Sequence, residues 1–199
     1  MSNPTKTHPC SLLCSLIKLI FSLSITLSIS FFFFWLIYHP NPIKVHVENA
    51  SLSLFNLTTT DTTTTTLTYN LTLDISVRNP NKKISIYYDS IEARACYDGE
   101  RFAFATLPTF YQGHKNTTML YPSFDGQSLV VGSGTKTRFN TEENDGFYNI
   151  DVNGHARVRF KVGWIKIKFK PRANCHLRLA LSGGGGGGGF QRTKCDVDL

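Results

Sequence analysis

Arg157, Arg159 and Lys161 alternate with apolar residues, Lys166, Lys168, Lys170 and Arg172 do so again a few positions on, and no acid interrupts the run. On an extended chain, side chains two apart share a face at about 6.6–6.8 Å, so each half makes a cationic stripe backed by residues able to enter a core. Such a stripe can dock a polyanion, either a demethylated pectin or an anionic headgroup, through Arg157, Arg159, Lys161, Lys166, Lys168 and Lys170. It can equally be a solvated face that discourages edge pairing. The segment Phe110-Tyr111-Gln112-Gly113-His114-Lys115 also has two readings: an exposed loop that meets a partner, or a plug whose aromatic rings close one end of the fold.

Catalysis requires convergent groups at recognisable spacing, and H-E-x-x-H, G-x-S-x-G, a Walker loop and C-x-x-C are all absent. Gly183 to Gly189 satisfies G-x-G-x-x-G trivially, without a following helix. Cys175 and His176 are adjacent and on a strand would face opposite ways, which disfavours shared metal ligation. His39, His46, His114 and His155 are scattered and read as surface or hydrogen-bonded histidines. The expectation is a non-enzyme without cofactor or metal.

The chain has 199 residues and a net charge of +7. Leu19 to Tyr38 holds no charge, and as a helix it would cover about 30 Å, the hydrocarbon thickness of a bilayer. Lys6 and Lys18 are the only formal charges before it, so the positive-inside bias puts the N-terminus in the cytosol. The expected organisation is a short cytosolic tail (1–18), a transmembrane helix (19–38) and an extracellular or lumenal domain (39–199). Lys18 would snorkel to the inner edge, and Trp35 and Tyr38 would mark the outer interface. A cleaved signal peptide fits less well, because the apolar run exceeds the usual ~7–15 residues and Tyr38-His39-Pro40-Asn41-Pro42 offers no small-residue cleavage site. The C-terminal residues lack the apolar tail of a lipid-anchor signal.

Asn49, Asn56, Asn70 and Asn116 each begin an N-x-Ser/Thr sequon after the span, where glycan transfer is possible. On that side a basic domain points away from nucleic acid and toward anionic glycans, lipid headgroups or acidic proteins. Cys10 and Cys14 lie on the cytosolic side, either as S-acylation sites or as idle thiols. Cys96, Cys175 and Cys195 face an oxidising compartment, and their odd number leaves one over.

Strands must position these groups. Val45, Val47, Leu52 and Leu54 suggest a first strand with a phase change near Asn49, and the threonine-rich run Thr58 to Thr66 reads as a mobile loop. Leu67, Tyr69, Leu71, Leu73, Ile75 and Val77 alternate with polar residues, which predicts a strand with one buried face and Asn70 outward. Asn79-Pro80-Asn81 ends it, since proline brings no ladder N–H. Ile84 to Tyr97 resumes, Asp98-Gly99 predicts a tight hairpin, and Arg101 to Thr106 returns. Asn116 to Tyr121 and Phe124 to Val131 are shorter candidates, and Ile150 to Leu181 holds two or three longer strands with a bulge or turn at Gly163-Trp164. Phe190 to Leu199 is expected as the last strand. Cys175 and Cys195 flank the glycines on adjacent strands, and a disulfide between them would contribute roughly 3 kcal/mol by loop closure. Seven or so short strands, with no helical periodicity outside the span, predict an antiparallel β-sandwich.

Asn79-Pro80-Asn81 with Lys82 to Asp89, then Leu107-Pro108-Thr109-Phe110-Tyr111-Gln112-Gly113-His114-Lys115-Asn116-Thr117-Thr118, resembles the plant harpin-induced, non-race-specific disease resistance-like proteins. Arg157 to Gly163 and the terminal Cys175 and Cys195 fit the same pattern. The resemblance implies an immunoglobulin-like or fibronectin-like late embryogenesis abundant group 2 sandwich on one N-terminal membrane anchor. It further implies residence in the plasma membrane, protein partners in defence signalling, and a part in responses to pathogens, senescence or abiotic stress.

Overall fold

Hydrophobic alternation is realised strand by strand in the computed structural model, which describes residues 9–38, 41–59, 65–130, 133–182 and 190–198. The glycine run Gly183–Gly189, His39, Lys6 and the middle of the threonine run lie outside the described residues, as do the side chains of Cys10, Trp35 and Tyr38. Two compact units divide the chain, 1–40 and 41–199.

The first unit is helix α1, Pro9–Tyr38. It starts ten residues before Leu19 and takes in Cys10 and Cys14, so most of the predicted tail is helical. Proline is compatible with the first helical turn, where its missing N–H has no partner to lose. Within α1, Leu13–Phe33 is long and apolar enough to cross a membrane.

The second unit carries strands β1 (Lys44–Thr59), β2 (Thr65–Arg78), β3 (Ile84–Tyr97), β4 (Glu100–Leu107), β5 (Phe110–Gln112), β6 (Thr117–Leu120) and β7 (Ser123–Val130). Helix α2 (Ser133–Asp145) follows, then β8 (Tyr148–Val162), β9 (Ile165–Phe169), β10 (Arg172–Leu179), β11 (Thr193–Lys194) and β12 (Asp196–Asp198). One antiparallel sheet runs β11-β1-β2-β6 with β7 also on β2, and the other runs β12-β10-β8-β3-β4 with β5 on β3 and β9 on β8. Val47, Leu52, Leu71 and Leu73 from the first sheet and Ile86, Ala95, Ile150 and Val158 from the second are buried in one core. The fold is the expected all-β antiparallel sandwich.

Several expectations hold in detail. The phase change in β1 is a pair of register shifts, between Val47 and Asn49 and between Leu52 and Leu54. Asp98 and Gly99 turn with φ of 54° and 82°, the left-handed pair a two-residue hairpin needs. Gly163, at φ 59°, makes the β8–β9 connection a tight turn. Others are corrected. The threonine run is less of a loop than expected, because Thr58 pairs with Thr66 and Thr59 with Thr65, as β-branched residues suit strands. Phe190–Leu199 is not one strand: β11 pairs with β1 in the first sheet and β12 with β10 in the second. Cys195 sits at that crossing, donates its N–H to the Val45 carbonyl at 3.0 Å, and is disulfide-bonded to Cys175.

Helix α2 was not predicted, since Thr135, Phe139 and Glu142 are its only buried side chains among those described. It caps one end of the sandwich. Phe139 joins Phe55, Tyr97, Phe102 and Tyr148 in an aromatic cluster with Phe55 centroids 4.9–5.9 Å from the others. The Glu142 carboxylate accepts from Tyr97 Oη at 2.9 Å, Asn149 Nδ2 at 2.7 Å and Arg138 Nε at 3.1 Å. Arg138 and Thr135 hold Asp98, at 3.0 and 2.9 Å, which ties the helix to the β3–β4 turn.

The opposite end, here called the base, carries Asn41 and closes differently. Asn79 and Gln112 are fully buried. Asn79 Nδ2 donates to the carbonyls of Ile84 (2.8 Å) and Gly113 (2.9 Å), and its Oδ1 accepts from the Asn81 N–H at 3.1 Å. Asn81 exchanges two bonds with the Asn41 backbone, at 2.8 and 2.9 Å. Gln112 Nε2 donates to Val77 O at 2.7 Å, and Gln112 Oε1 accepts from Tyr88 Oη at 3.2 Å.

Two predictions follow from these closures. N79A orphans buried carbonyls and should cost at least about 2 kcal/mol in urea unfolding of the full chain in detergent, against within about 0.5 kcal/mol for the strand-surface change N70A. Burial alone would raise the Glu142 carboxyl, but hydrogen bonds from Asn149, Tyr97 and Arg138 outweigh it and hold the group below its ordinary value. A carboxyl depressed in the fold stabilises above its unfolded value, about 4.3, and loses that contribution as pH falls through the lower folded value. E142Q should therefore be less stable at pH 7 yet lose less stability on acidification, as followed by thermal melts between pH 7 and pH 3.

Candidate binding face of the second sheet

The register of four strands assembles the outer face. Tyr111 on β5 lies beside Tyr87 on β3, Tyr87 beside Arg159 on β8, and Arg159 beside Lys168 on β9. The next row toward the base is Ser85, Lys161 and Lys166. Two tyrosines thus continue the cationic ladder sideways. Their ring centroids are 4.8 Å apart, and Arg159 Cζ and Lys166 Nζ lie 5.4 and 5.5 Å from the Tyr87 centroid. Tyr111 donates its hydroxyl to Ser85 Oγ at 2.9 Å, and Ser85 Oγ in turn meets His114 Nε2 at 3.1 Å.

Of the six predicted cations, only Arg159 is held by a carboxylate among the described residues. Its guanidinium donates to both oxygens of Asp89, at 2.7 and 2.6 Å. That fork holds the Asp89 carboxyl below its ordinary range and pushes the guanidinium of Arg159 up. Lys161, Lys166 and Lys168 form no salt bridge among the described residues, although Lys168 is near enough to Asp89 to help lower its carboxyl.

The six do not form one stripe. Pro171 interrupts the strand between β9 and β10: it lacks an N–H, and its carbonyl accepts from Ala156 N at 3.1 Å. The residues around that bend separate from the hairpin. Arg157 and Lys170 line, with Arg172, Ser90, Glu92 and His155, a cleft of about 300 Å³. Glu92 there pairs with Arg94, and His155 Nδ1 is buried without a hydrogen-bond partner. Behind the cleft, an apolar cavity of about 80 Å³ lies between the sheets against Val77, Ile91, Ala93 and Val152.

Sequence reasoning missed the opposite side of the hairpin. Trp164 at its tip is 91% exposed, and Ile165 and Ile167, on the core-facing side of β9, are 48% and 47% exposed. Only Phe169, one pair further in, packs against Phe160, at 4.7 Å. β9 is an edge strand paired with β8, and its core-facing side is left partly uncovered there.

The remaining candidates sit apart. Asn49, Asn56 and Asn116 are exposed and Asn70 is half-buried. Asn116 Oδ1 accepts from the Thr117 N–H at 2.8 Å. Cys14 is an exposed thiol. Cys96 is half-buried against Asn153, and burial pushes its thiol up. The Phe110–Lys115 segment divides: Phe110 stacks on Tyr88 at 4.3 Å, Gln112 is buried, and Tyr111 is exposed on the binding face. Among the described residues, no three His, Cys, Asp or Glu side chains converge as a metal site.

A family model described as late embryogenesis abundant protein matches residues 74–176. NDR1/HIN1-like protein 10 of Arabidopsis thaliana is 52% identical over 112 residues, covering 55% of this chain and 49% of that protein. NDR1/HIN1-like protein 3 of the same plant is 42% identical over 130 residues, covering 63% and 56%. This chain therefore spans about half the length of the curated relatives it matches. The solution structure of a late embryogenesis abundant protein aligns with a TM-score of 0.31 at 13% identity, over 92% of this chain and 96% of that one.

Proposed function

Because the chain belongs to the late embryogenesis abundant family of the LEA_2 type, and is similar to NDR1/HIN1-like proteins, we propose that it is a membrane-anchored, non-catalytic binding module of plant defence or stress response. Helix α1 spans the plasma membrane with Lys6 and Lys18 on the cytosolic side, and the sandwich is extracellular. Cys10 and Cys14 take acyl chains at the inner leaflet, and Asn49, Asn56, Asn70 and Asn116 accept glycans. The observation that carries the binding role is the Tyr111-Tyr87-Arg159-Lys168 ladder. Aromatic rings and cations side by side on one sheet are suited to meeting a partner.

A second reading is favoured by Arg159 being the one of the six predicted cations that a carboxylate holds in a salt bridge among the described residues. Through Arg157, Arg159, Lys161, Lys166, Lys168 and Lys170 the domain would tether the membrane to an anionic cell-wall polysaccharide.

Topology is tested by glycosidase treatment of the protein from plant tissue. A mobility shift that disappears in the N49Q/N56Q/N70Q/N116Q variant is expected, and no shift would remove the extracellular assignment. Proximity labelling from the C-terminus, with and without elicitor, should return extracellular neighbours that change on elicitation. For the tether, binding of the detergent-solubilised chain to demethylated pectin should weaken with salt and strengthen in D89N, which frees Arg159. Binding that is absent or indifferent to salt would eliminate the tether and leave the protein-partner reading.

A further inference from the structure

We infer that the β8–β9 hairpin is a second membrane contact, in which Trp164, Ile165 and Ile167 enter the interfacial layer of the leaflet on the domain's side while Lys161, Lys166 and Lys168 bind the phosphates of its headgroups. This rests on the reading that α1 spans the bilayer.

Three observations converge on a lipid surface. The first is amphipathicity within one hairpin. Alternation places Lys166 and Lys168 on one side of β9 and Ile165 and Ile167 on the other, with Lys161 opposite Lys166 across the turn. Trp164, 91% exposed, projects from the turn between them. An indole flanked by aliphatic side chains and lysine stems matches the interfacial layer, where rings sit at headgroup level and ammonium groups reach phosphate.

The second is position within the domain. Ile84 pairs with Val162, the last β8 residue before the turn. Three residues before Ile84, Asn81 is bonded to the backbone of Asn41. The hairpin tip is therefore at the base, the end at which the chain comes from α1. His39 and Pro40 alone separate Tyr38 from Asn41, so Asn41 stays within about 11 Å of the helix terminus by chain length. A hairpin at that end meets headgroups without stretching the tether.

The third is charge around the tip. Lys44, Lys82 and Lys115, next to the residues of the buried amide network, are exposed at the base as well. Cations near an anionic leaflet each contribute about 1 kcal/mol, and their clustering beside exposed isoleucines is complementary to a phosphate-bearing surface. A glycan would use the cations but would leave Ile165 and Ile167 in water.

The test reads the two tryptophans separately, since the chain has only Trp35 and Trp164. The full chain is reconstituted in nanodiscs of neutral or phosphatidylglycerol-containing lipid with brominated acyl chains. In W35F, Trp164 emission should shift to the blue and be quenched, more strongly in anionic than in neutral discs. Each lysine removed among Lys161, Lys166 and Lys168 should weaken docking about five-fold. In W164F, quenching of Trp35 reports the anchor. Trp35 quenched with Trp164 unquenched overturns the hairpin contact and leaves the anchor standing, whereas neither quenched overturns both. Protection of Trp164 from iodide by demethylated pectin, without lipid quenching, assigns the hairpin to a glycan and also overturns the inference.

Discussion

A crossing between two sheets leaves backbone carbonyls with no strand to receive them, and three buried amides resolve that problem here. The chain passes from β2 in the first sheet to β3 in the second through Asn79-Pro80-Asn81, and the carbonyls of Val77, Ile84 and Gly113 are satisfied by Asn79 and Gln112. Asn79 and Asn81 hold backbone groups on both sides of the bend, and Gln112 adds the Val77 carbonyl and the Tyr88 hydroxyl, so the bend has one geometry. Everything on the outer face inherits it. The phase of β3 decides whether Tyr87 and Ser85 or Ile86 and Tyr88 point outward, and a slip of one residue would exchange the binding face for the core.

The other closures are weaker alone and depend on cross-links. β11 and β12 contain two and three residues, too few to hold a register, and they belong to different sheets. The disulfide fixes the residue between them to β10, so both short pairings share one covalent constraint. At the far end α2 offers the core Phe139 and little else that is apolar. Its place comes from Glu142, which gathers Tyr97, Asn149 and Arg138, and from Asp98 at the adjoining turn.

Local period was enough to read β2, β3, the Asp98-Gly99 hairpin and the shift at Gly163-Trp164, because in each the sequence signal is contained within one strand or one turn. The Cys175–Cys195 pairing was legible differently, from the proximity of two cysteines flanking the glycine run and from their shared strand phase. Helix α2 was not, since a helix held by one phenylalanine and a buried carboxylate has no apolar stripe to detect. The splitting of Phe190–Leu199 between two sheets was invisible because it follows from which edge is free. At the candidate face the alternation of cations could be read, but not their neighbours: Tyr87 and Asp89 reach Arg159, and Tyr111 reaches Tyr87, through pairings made by the tertiary fold.

Lysines on an edge strand are commonly a guard against edge-to-edge pairing, and β9 is such a strand. That account explains Lys166 and Lys168 and fails for their neighbours. A strand arranged only for solubility would not keep Ile165 and Ile167 half exposed on its other side, nor carry an open tryptophan at its turn. Nor does the bend at Pro171 suit a uniform shield, since it draws Arg157 and Lys170 into a cleft and leaves Lys161, Lys166 and Lys168 with the apolar tip. Charge and exposed apolar surface in the same hairpin make sense together where one boundary offers both phosphate and hydrocarbon.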